Sequence, residues 1–77
     1  MVEVTMPKMG ATMTEGTVAA WRVEPGQSVA VGDVLCEVET DKASVDVESE
    51  HAGTVDALLV QEGETVAIGV PIARLAT

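Results

Sequence analysis

The chain repeats itself at an offset of 37 residues. Gly16-Thr17-Val18 lies on Gly53-Thr54-Val55, Val23 on Val60, Gly26 on Gly63, Val29-Ala30 on Val66-Ala67, Gly32 on Gly69 and Leu35 on Ile72. Apolar residues and turn residues therefore recur in one order, the pattern of a duplicated supersecondary unit. Solenoid arrays need about three or more repeats to bury their faces, and only two copies are present. The expected arrangement is a pair of half-domains related by a pseudo-twofold axis, each covering the other's apolar face.

Within each copy the apolar residues alternate with a period of two, the period of a half-buried strand. Strands are expected near residues 2–6, 17–23, 28–31, 34–40, 43–48, 54–60, 65–68 and 71–75, with little or no helix. Glu24-Pro25-Gly26-Gln27 carries Pro and Gly at the central positions of a type II turn, and Gln61-Glu62-Gly63-Glu64 repeats the Gly without the Pro. Alternation fails around Ala19-Ala20-Trp21 and again at Ala57-Leu58-Leu59. A bulge or a strand buried on both faces would each account for it. The copies differ most before Gly16, where residues 8–14 make a long surface connection.

Seventy-seven residues make one domain, spanning 1–77. A chain this short hides only about 60% of its surface on folding, so its core is thin. There is no Phe and no Tyr, and Trp21 stands alone, which leaves small aliphatic residues to fill a flattened sandwich. The lone Cys36 has no partner for an internal disulfide and reads as a small buried hydrophobe in a reducing compartment. A net charge of −9, with Lys8, Arg22, Lys42 and Arg74 as the fixed cations, opposes binding to nucleic acid and to anionic membranes. Apolar runs such as Ala57-Leu58-Leu59-Val60 fall far short of the roughly 18–20 residues that span a bilayer. The N-terminus alternates Val2, Val4 and Met6 around Glu3, unlike a cationic signal or an Arg-rich transit segment. A cytoplasmic location is expected, or the mitochondrial matrix in a eukaryote. No linker follows the last expected strand, the pattern of a domain cut from a longer chain.

One of the two lysines sits in Glu39-Thr40-Asp41-Lys42-Ala43, between two alternating segments. A two-residue Asp41-Lys42 turn pairs Thr40 with Ala43, which sets Val38 opposite Val45 and Cys36 opposite Val47 on one face. On the other face Glu37 meets Asp46, a like-charge pair costing a few tenths of a kcal/mol, within the roughly 0.2–1 kcal/mol of cross-strand pairs. Asp-Lys is also a poor dipeptide for a primed turn. Neither the charges nor the turn residues are those that folding alone would select, so Lys42 is the candidate functional residue.

Glu39-Thr40-Asp41-Lys42-Ala43, Glu15-Gly16-Thr17-Val18, Trp21 and the paired Gly26–Gly32 and Gly63–Gly69 spacings resemble a lipoyl domain over nearly the whole chain, from Val4 to Leu75. The resemblance is to the swinging-arm domain of the dihydrolipoamide acyltransferase component of 2-oxo acid dehydrogenase complexes. It implies an all-β fold, a flattened β-barrel (barrel-sandwich hybrid) of two four-stranded antiparallel sheets with pseudo-twofold symmetry. It implies that Lys42 is an N6-lipoyllysine, carrying lipoic acid covalently as lipoamide, with Glu39, Thr40, Asp41 and Ala43 as the surrounding modification and recognition motif. The implied partners are a lipoate-protein ligase or lipoyltransferase, a thiamine-diphosphate-dependent 2-oxo acid decarboxylase that reductively acylates the arm, the acyltransferase core, and a dihydrolipoamide dehydrogenase that reoxidises it. The segment Met9-Gly10-Ala11-Thr12-Met13-Thr14-Glu15-Gly16 is more similar to the pyruvate and acetoin types than to the 2-oxoglutarate type.

Biotinyl domains share the fold but flank their lysine with methionines, where this chain has Asp41 and Ala43. A biotin carrier and an unmodified structural adaptor are the rival readings. Lys8 lacks an Asp-Lys-Ala setting and reads as an ordinary exposed charge, although the family's corresponding loop lies near the lipoyl-lysine. Glu37, Glu39, Asp46, Glu48 and Glu50 form an acidic face beside the hairpin, with solubility and partner recognition as its two readings. His51, with no nearby Cys or second His, is a poor metal ligand, and no Ser, His and Asp converge for nucleophilic catalysis. The domain is expected to be a carrier and not an enzyme.

Overall fold

The computed structural model describes residues 1–77 except Met9 and Ala11. Those two belong to the expected surface connection before Gly16, and that part of it lies outside the described residues. Among the described residues eight strands follow in order: β1 (Val2–Thr5), β2 (Glu15–Trp21), β3 (Ser28–Val29), β4 (Val34–Glu39), β5 (Ser44–Glu48), β6 (Gly53–Leu58), β7 (Thr65–Ala67) and β8 (Pro71–Ala76). They form two four-stranded antiparallel sheets, ordered β1-β8-β6-β3 and β5-β4-β2-β7, a flattened all-β sandwich. The eight expected strands are all present, with shifted ends. β2 starts at Glu15 rather than 17, because β7 supplies a partner for Glu15 and Gly16 at Ala67 and Val66.

The duplication is carried through the whole topology. Replacing β1, β8, β6 and β3 by β5, β4, β2 and β7 turns one sheet order into the other. The copies are not two separate halves laid face to face, since β3 of the first pairs with β6 and β7 of the second pairs with β2. Strand exchange makes each sheet a mixture of both copies. The two failures of alternation are bulges: the β2–β4 register slips between Val18 and Ala20, and the β6–β8 register slips between Val55 and Ala57. A second symmetric pair of slips places consecutive residues inward, Leu35 with Cys36 and Ile72 with Ala73. The type II turns also repeat, with positive φ at Gly26 and Gly63 and i→i+3 bonds from Gln27 to Glu24 (3.1 Å) and from Glu64 to Gln61 (3.0 Å).

Packing follows the same operator. One buried cluster contains Val18, Val38, Val60 and Ile72, and the other contains their repeat partners Val55, Leu75, Val23 and Leu35. Trp21 is half-buried, packs against both clusters, and its indole Nε1–H donates to the Val60 carbonyl at 3.0 Å. Cys36 is fully buried in the first cluster, as its sequence setting implied. Burial, with a smaller contribution from the Asp46 carboxylate, pushes its thiol up from 9.0 to about 11. The folded chain thus holds this proton more tightly than the unfolded chain does. The associated stability is fully present below about pH 9 and is lost as the pH rises through about 11. Between those limits the urea midpoint of the wild type is expected to fall more steeply than that of Cys36→Ala. Parallel slopes in the two titrations would contradict this assignment.

The symmetry also fixes where the β4–β5 hairpin sits. Glu39 at the end of β4 corresponds to Ala76 at the end of β8, so the hairpin turn occupies the position that the chain termini occupy in the other sheet. β8 begins beside Met6 and the β7–β8 turn, which Thr14 holds through the Ile68 N–H at 3.1 Å, and runs away from the hairpin to Ala76. Turn and termini therefore lie at opposite ends of a body measuring 32 × 20 × 17 Å.

Candidate functional site

The hairpin register is the one its alternation dictates. Val38 faces Val45, Cys36 faces Val47, Glu37 faces Asp46, and Glu39 faces Ser44. Val38 and Val47 are buried and Val45 is half-buried against the same cluster, which anchors both legs of the hairpin in the core. Beyond Glu39 the chain rises out of the sheet, leaving Asp41, Lys42 and Ala43 exposed on a half-buried Thr40.

No described residue other than glycine has a positive φ, so Asp41-Lys42 is not a primed turn of type I′. The Thr40 N–H donates to the Ala43 carbonyl at 2.9 Å, but the Ala43 N–H donates at 3.2 Å to Thr40 Oγ1 instead of closing the reciprocal backbone bond. The Lys42 N–H donates to the same hydroxyl oxygen at 3.2 Å, and that hydroxyl donates to the Ala43 carbonyl at 3.0 Å. Asp41 and Lys42 occupy the turn as the sequence pattern implies, and Thr40 of the motif supplies its capping hydroxyl. A threonine directly before a two-residue turn was the available signal, since its hydroxyl can cap nearby N–H groups.

The Lys42 ammonium makes no hydrogen bond or ion pair with a described residue, and neither does the Asp41 carboxylate. Gly10 and residues 12–17 lie alongside. A groove of about 210 Å³ is lined by Gly10, Thr12 and Met13 on one side and by Thr40, Lys42 and Val45 on the other. A second, of about 410 Å³, runs between Thr14 and Glu15 and the Glu39-Thr40-Asp41 segment. Lys8 is exposed and lines neither groove.

Glu37, Glu39, Asp46 and Glu48 lie on neighbouring strands, with Glu50 just beyond β5. The sequence reading missed that Arg22 reaches Glu37, its guanidinium 2.6 Å from Oε1, which offsets part of the Glu37–Asp46 repulsion. The pair is exposed and contributes at most about 1 kcal/mol. Away from the hairpin, His51 uses its backbone and not its ring to hold the buried Ser49. Its carbonyl accepts from Ser49 Oγ at 2.6 Å and its N–H donates back at 3.3 Å. His51 also borders a groove of about 320 Å³ between β1 and β5, whose rim carries Glu3, Asp46, Glu48 and Glu50.

A lysine at the tip of a hairpin, in a sandwich with this strand order, can be compared with known proteins. Residues 2–75 match the biotin/lipoyl family described as "Biotin-requiring enzyme". The chain belongs to this biotin/lipoyl family. It is similar to the lipoyl domain of the 2-oxoglutarate dehydrogenase complex from Azotobacter vinelandii, with a TM-score of 0.80 and 28% identity over 100% of this chain and 98% of that one. Among curated relatives, it is 49% identical over 76 residues to the dihydrolipoyllysine-residue acetyltransferase component of the pyruvate dehydrogenase complex of Zymomonas mobilis. It is 47% identical over 73 residues to the dihydrolipoyllysine-residue succinyltransferase component of the 2-oxoglutarate dehydrogenase complex of Staphylococcus saprophyticus. These matches cover 97% and 95% of this chain but only 17% of either relative. Two percentage points separate a pyruvate relative from a 2-oxoglutarate relative, so identity does not rank the two substrate types for this member of the biotin/lipoyl family.

Proposed function

We propose that residues 1–77 act as one swinging-arm carrier domain, modified on Lys42 by lipoic acid, within a 2-oxo acid dehydrogenase complex of the pyruvate or acetoin type. The observation that carries this reading is the exposed amine of Lys42, unpartnered among the described residues, at the tip of a hairpin whose legs are buried in the core. The surroundings fit an extended acyl group: Asp41, Lys42 and Ala43 are exposed, and among the described residues no side chain bonds the amine. Attachment is an amide condensation. The neutral Lys42 amine attacks a ligase-activated lipoyl carboxyl, a C–N bond forms, the activating group leaves with its bonding pair, and the amine proton passes to solvent. When bound, the lipoyl group supplies a dithiolane that accepts an acyl group together with two electrons.

The chain's own part is geometric. Lys42 serves as a tether and not as an acid or base, and the sandwich holds that tether at the end of the molecule opposite the termini. A tethered arm makes each transfer nearly intramolecular, so the gain is effective concentration. The partners are a lipoate-protein ligase or lipoyltransferase, a thiamine-diphosphate-dependent decarboxylase, the acyltransferase core and a dihydrolipoamide dehydrogenase, in the cytosol or the mitochondrial matrix. The domain itself is a carrier without catalysis, and Glu39, Asp41 and Ala43 are surfaces that the ligase reads.

Intact mass after expression with lipoate and a competent ligase tests this reading. A single lipoyl increment is expected, and because the modification removes one positive charge, net charge moves from −9 to −10 and the band runs faster on a native gel. A biotin-sized increment would move the chain to the biotinyl branch of its family. An unmodified product in those cells would remove the carrier reading altogether.

A further inference from the structure

We infer that Thr40 is a positioning residue for Lys42, its hydroxyl setting the shape of the turn in which the modifying enzyme meets the amine. The inference rests on the carrier reading and adds a residue to it. A two-residue hairpin ordinarily closes with reciprocal backbone bonds between the residues flanking the turn, and a primed turn matches the twist of its strands. Here one of those bonds is replaced and the primed conformation is not adopted. A hydroxyl has one proton and two lone pairs, and Thr40 uses all three: it accepts from the Lys42 and Ala43 N–H groups at 3.2 Å each and donates to the Ala43 carbonyl at 3.0 Å.

Two further observations single this side chain out. The Asp41 carboxylate, the other polar group able to cap such a turn, makes no hydrogen bond among the described residues. Thr40 is half-buried at the root of the loop, whereas Asp41, Lys42 and Ala43 are exposed. The turn is thus tied to the sandwich through Thr40. Without the hydroxyl, water can satisfy the Lys42 and Ala43 N–H groups, so the fold survives while the turn samples several conformations. An enzyme that binds only one of them sees its apparent affinity reduced by the competent fraction. The loss therefore shows in kcat/KM for modification, with little change in the stability of the domain.

The test measures lipoylation of the 77-residue chain by purified lipoate-protein ligase with lipoate and ATP, using initial rates from intact mass. Thr40→Val keeps the shape and removes the hydroxyl, Thr40→Ser keeps the hydroxyl and removes the methyl, and Thr40→Asn offers a different acceptor for the same N–H groups. A competent fraction of about one in ten lowers kcat/KM about tenfold in Thr40→Val. Thr40→Ser should stay within about twofold of wild type, with Thr40→Asn in between. Thermal unfolding, followed in parallel, should shift little across the series. Equal rates for Thr40→Val and wild type overturn the inference, and so does a Ser variant as slow as the Val variant, which would assign the effect to the methyl group. If Thr40→Val does not fold, Thr40→Ala is judged by the same comparison, and failure of both to fold makes the hydroxyl a stability element and overturns the positioning role. A wild type that the ligase leaves unmodified overturns the carrier reading instead.

Discussion

Lys42→Arg is expected to eliminate the lipoyl mass increment while leaving thermal stability nearly unchanged. Both halves of that result come from the hairpin. The Lys42 side chain makes no hydrogen bond or ion pair with a described residue, so its replacement removes no such contact from the folded state. The contribution of position 42 to the turn comes from its backbone N–H, bound to Thr40 Oγ1 at 3.2 Å, and arginine keeps it. Exposed substitutions of this kind change stability by about 0.5 kcal/mol or less, roughly 2–4 °C in melting temperature for a domain this size. Chemistry, by contrast, changes completely. A guanidinium stays protonated at any working pH and offers no neutral amine to an activated carboxyl. Lys8 is the other lysine, so a Lys42→Arg protein that still gains the increment would shift the acceptor to Lys8 or to the amino terminus. A melting temperature lowered by about ten degrees or more, well beyond the range for an exposed site, would mean that Lys42 is a structural residue, and the carrier reading would lose its geometric basis.

Sequence patterns specified this hairpin almost completely, because a period of two and a two-residue turn leave one register that puts Val38, Val45, Cys36 and Val47 on one face. The 37-residue repeat likewise implied a pseudo-twofold axis. It could not say which strands would be neighbours, since Val29 and Val66 carry the same local signal whether each strand pairs within its own copy or with the other. Pairing across copies is settled by long-range packing, and the split of Val18 and Val55, or Leu35 and Ile72, between two clusters is visible only in three dimensions. Loss of alternation near Ala19 and Ala57 signalled irregularity, but a bulge and a doubly buried strand look alike in one dimension. At the candidate site, residue types marked Lys42 and its neighbours, while the bonding of the Thr40 hydroxyl depended on backbone angles that residue types leave open.

The second large effect lies at the repeat's own landmark. Gly16 and Gly53 are equivalent by the duplication, and at both a methyl group would enter occupied space, yet the obstacles differ in kind. At Gly53 an added Cβ would lie 2.5 Å from the carbonyl oxygen of Ala76, an atom of the β8 backbone that β6 is paired with. At Gly16 it would meet Val38 Cγ1 at 2.8 Å, the terminal methyl Cε of Met13 at 2.9 Å and Sδ of the buried Met6 at 2.9 Å. Side chains can repack, the terminal methyl of Met13 most readily, whereas a paired strand must move as a unit. Gly53→Ala is therefore expected to cost about 2–3 kcal/mol, the upper range for forced overpacking, and to lower the melting temperature by roughly 10–20 °C. Gly16→Ala should cost about 1 kcal/mol, because all three obstacles are side-chain atoms that can repack without moving a strand. Paired thermal melts of the two variants decide the matter. A Gly16→Ala protein as unstable as Gly53→Ala would mean that the β6–β8 backbone contact is not the limiting constraint, and that the side chains around Gly16 yield no more easily than a paired strand.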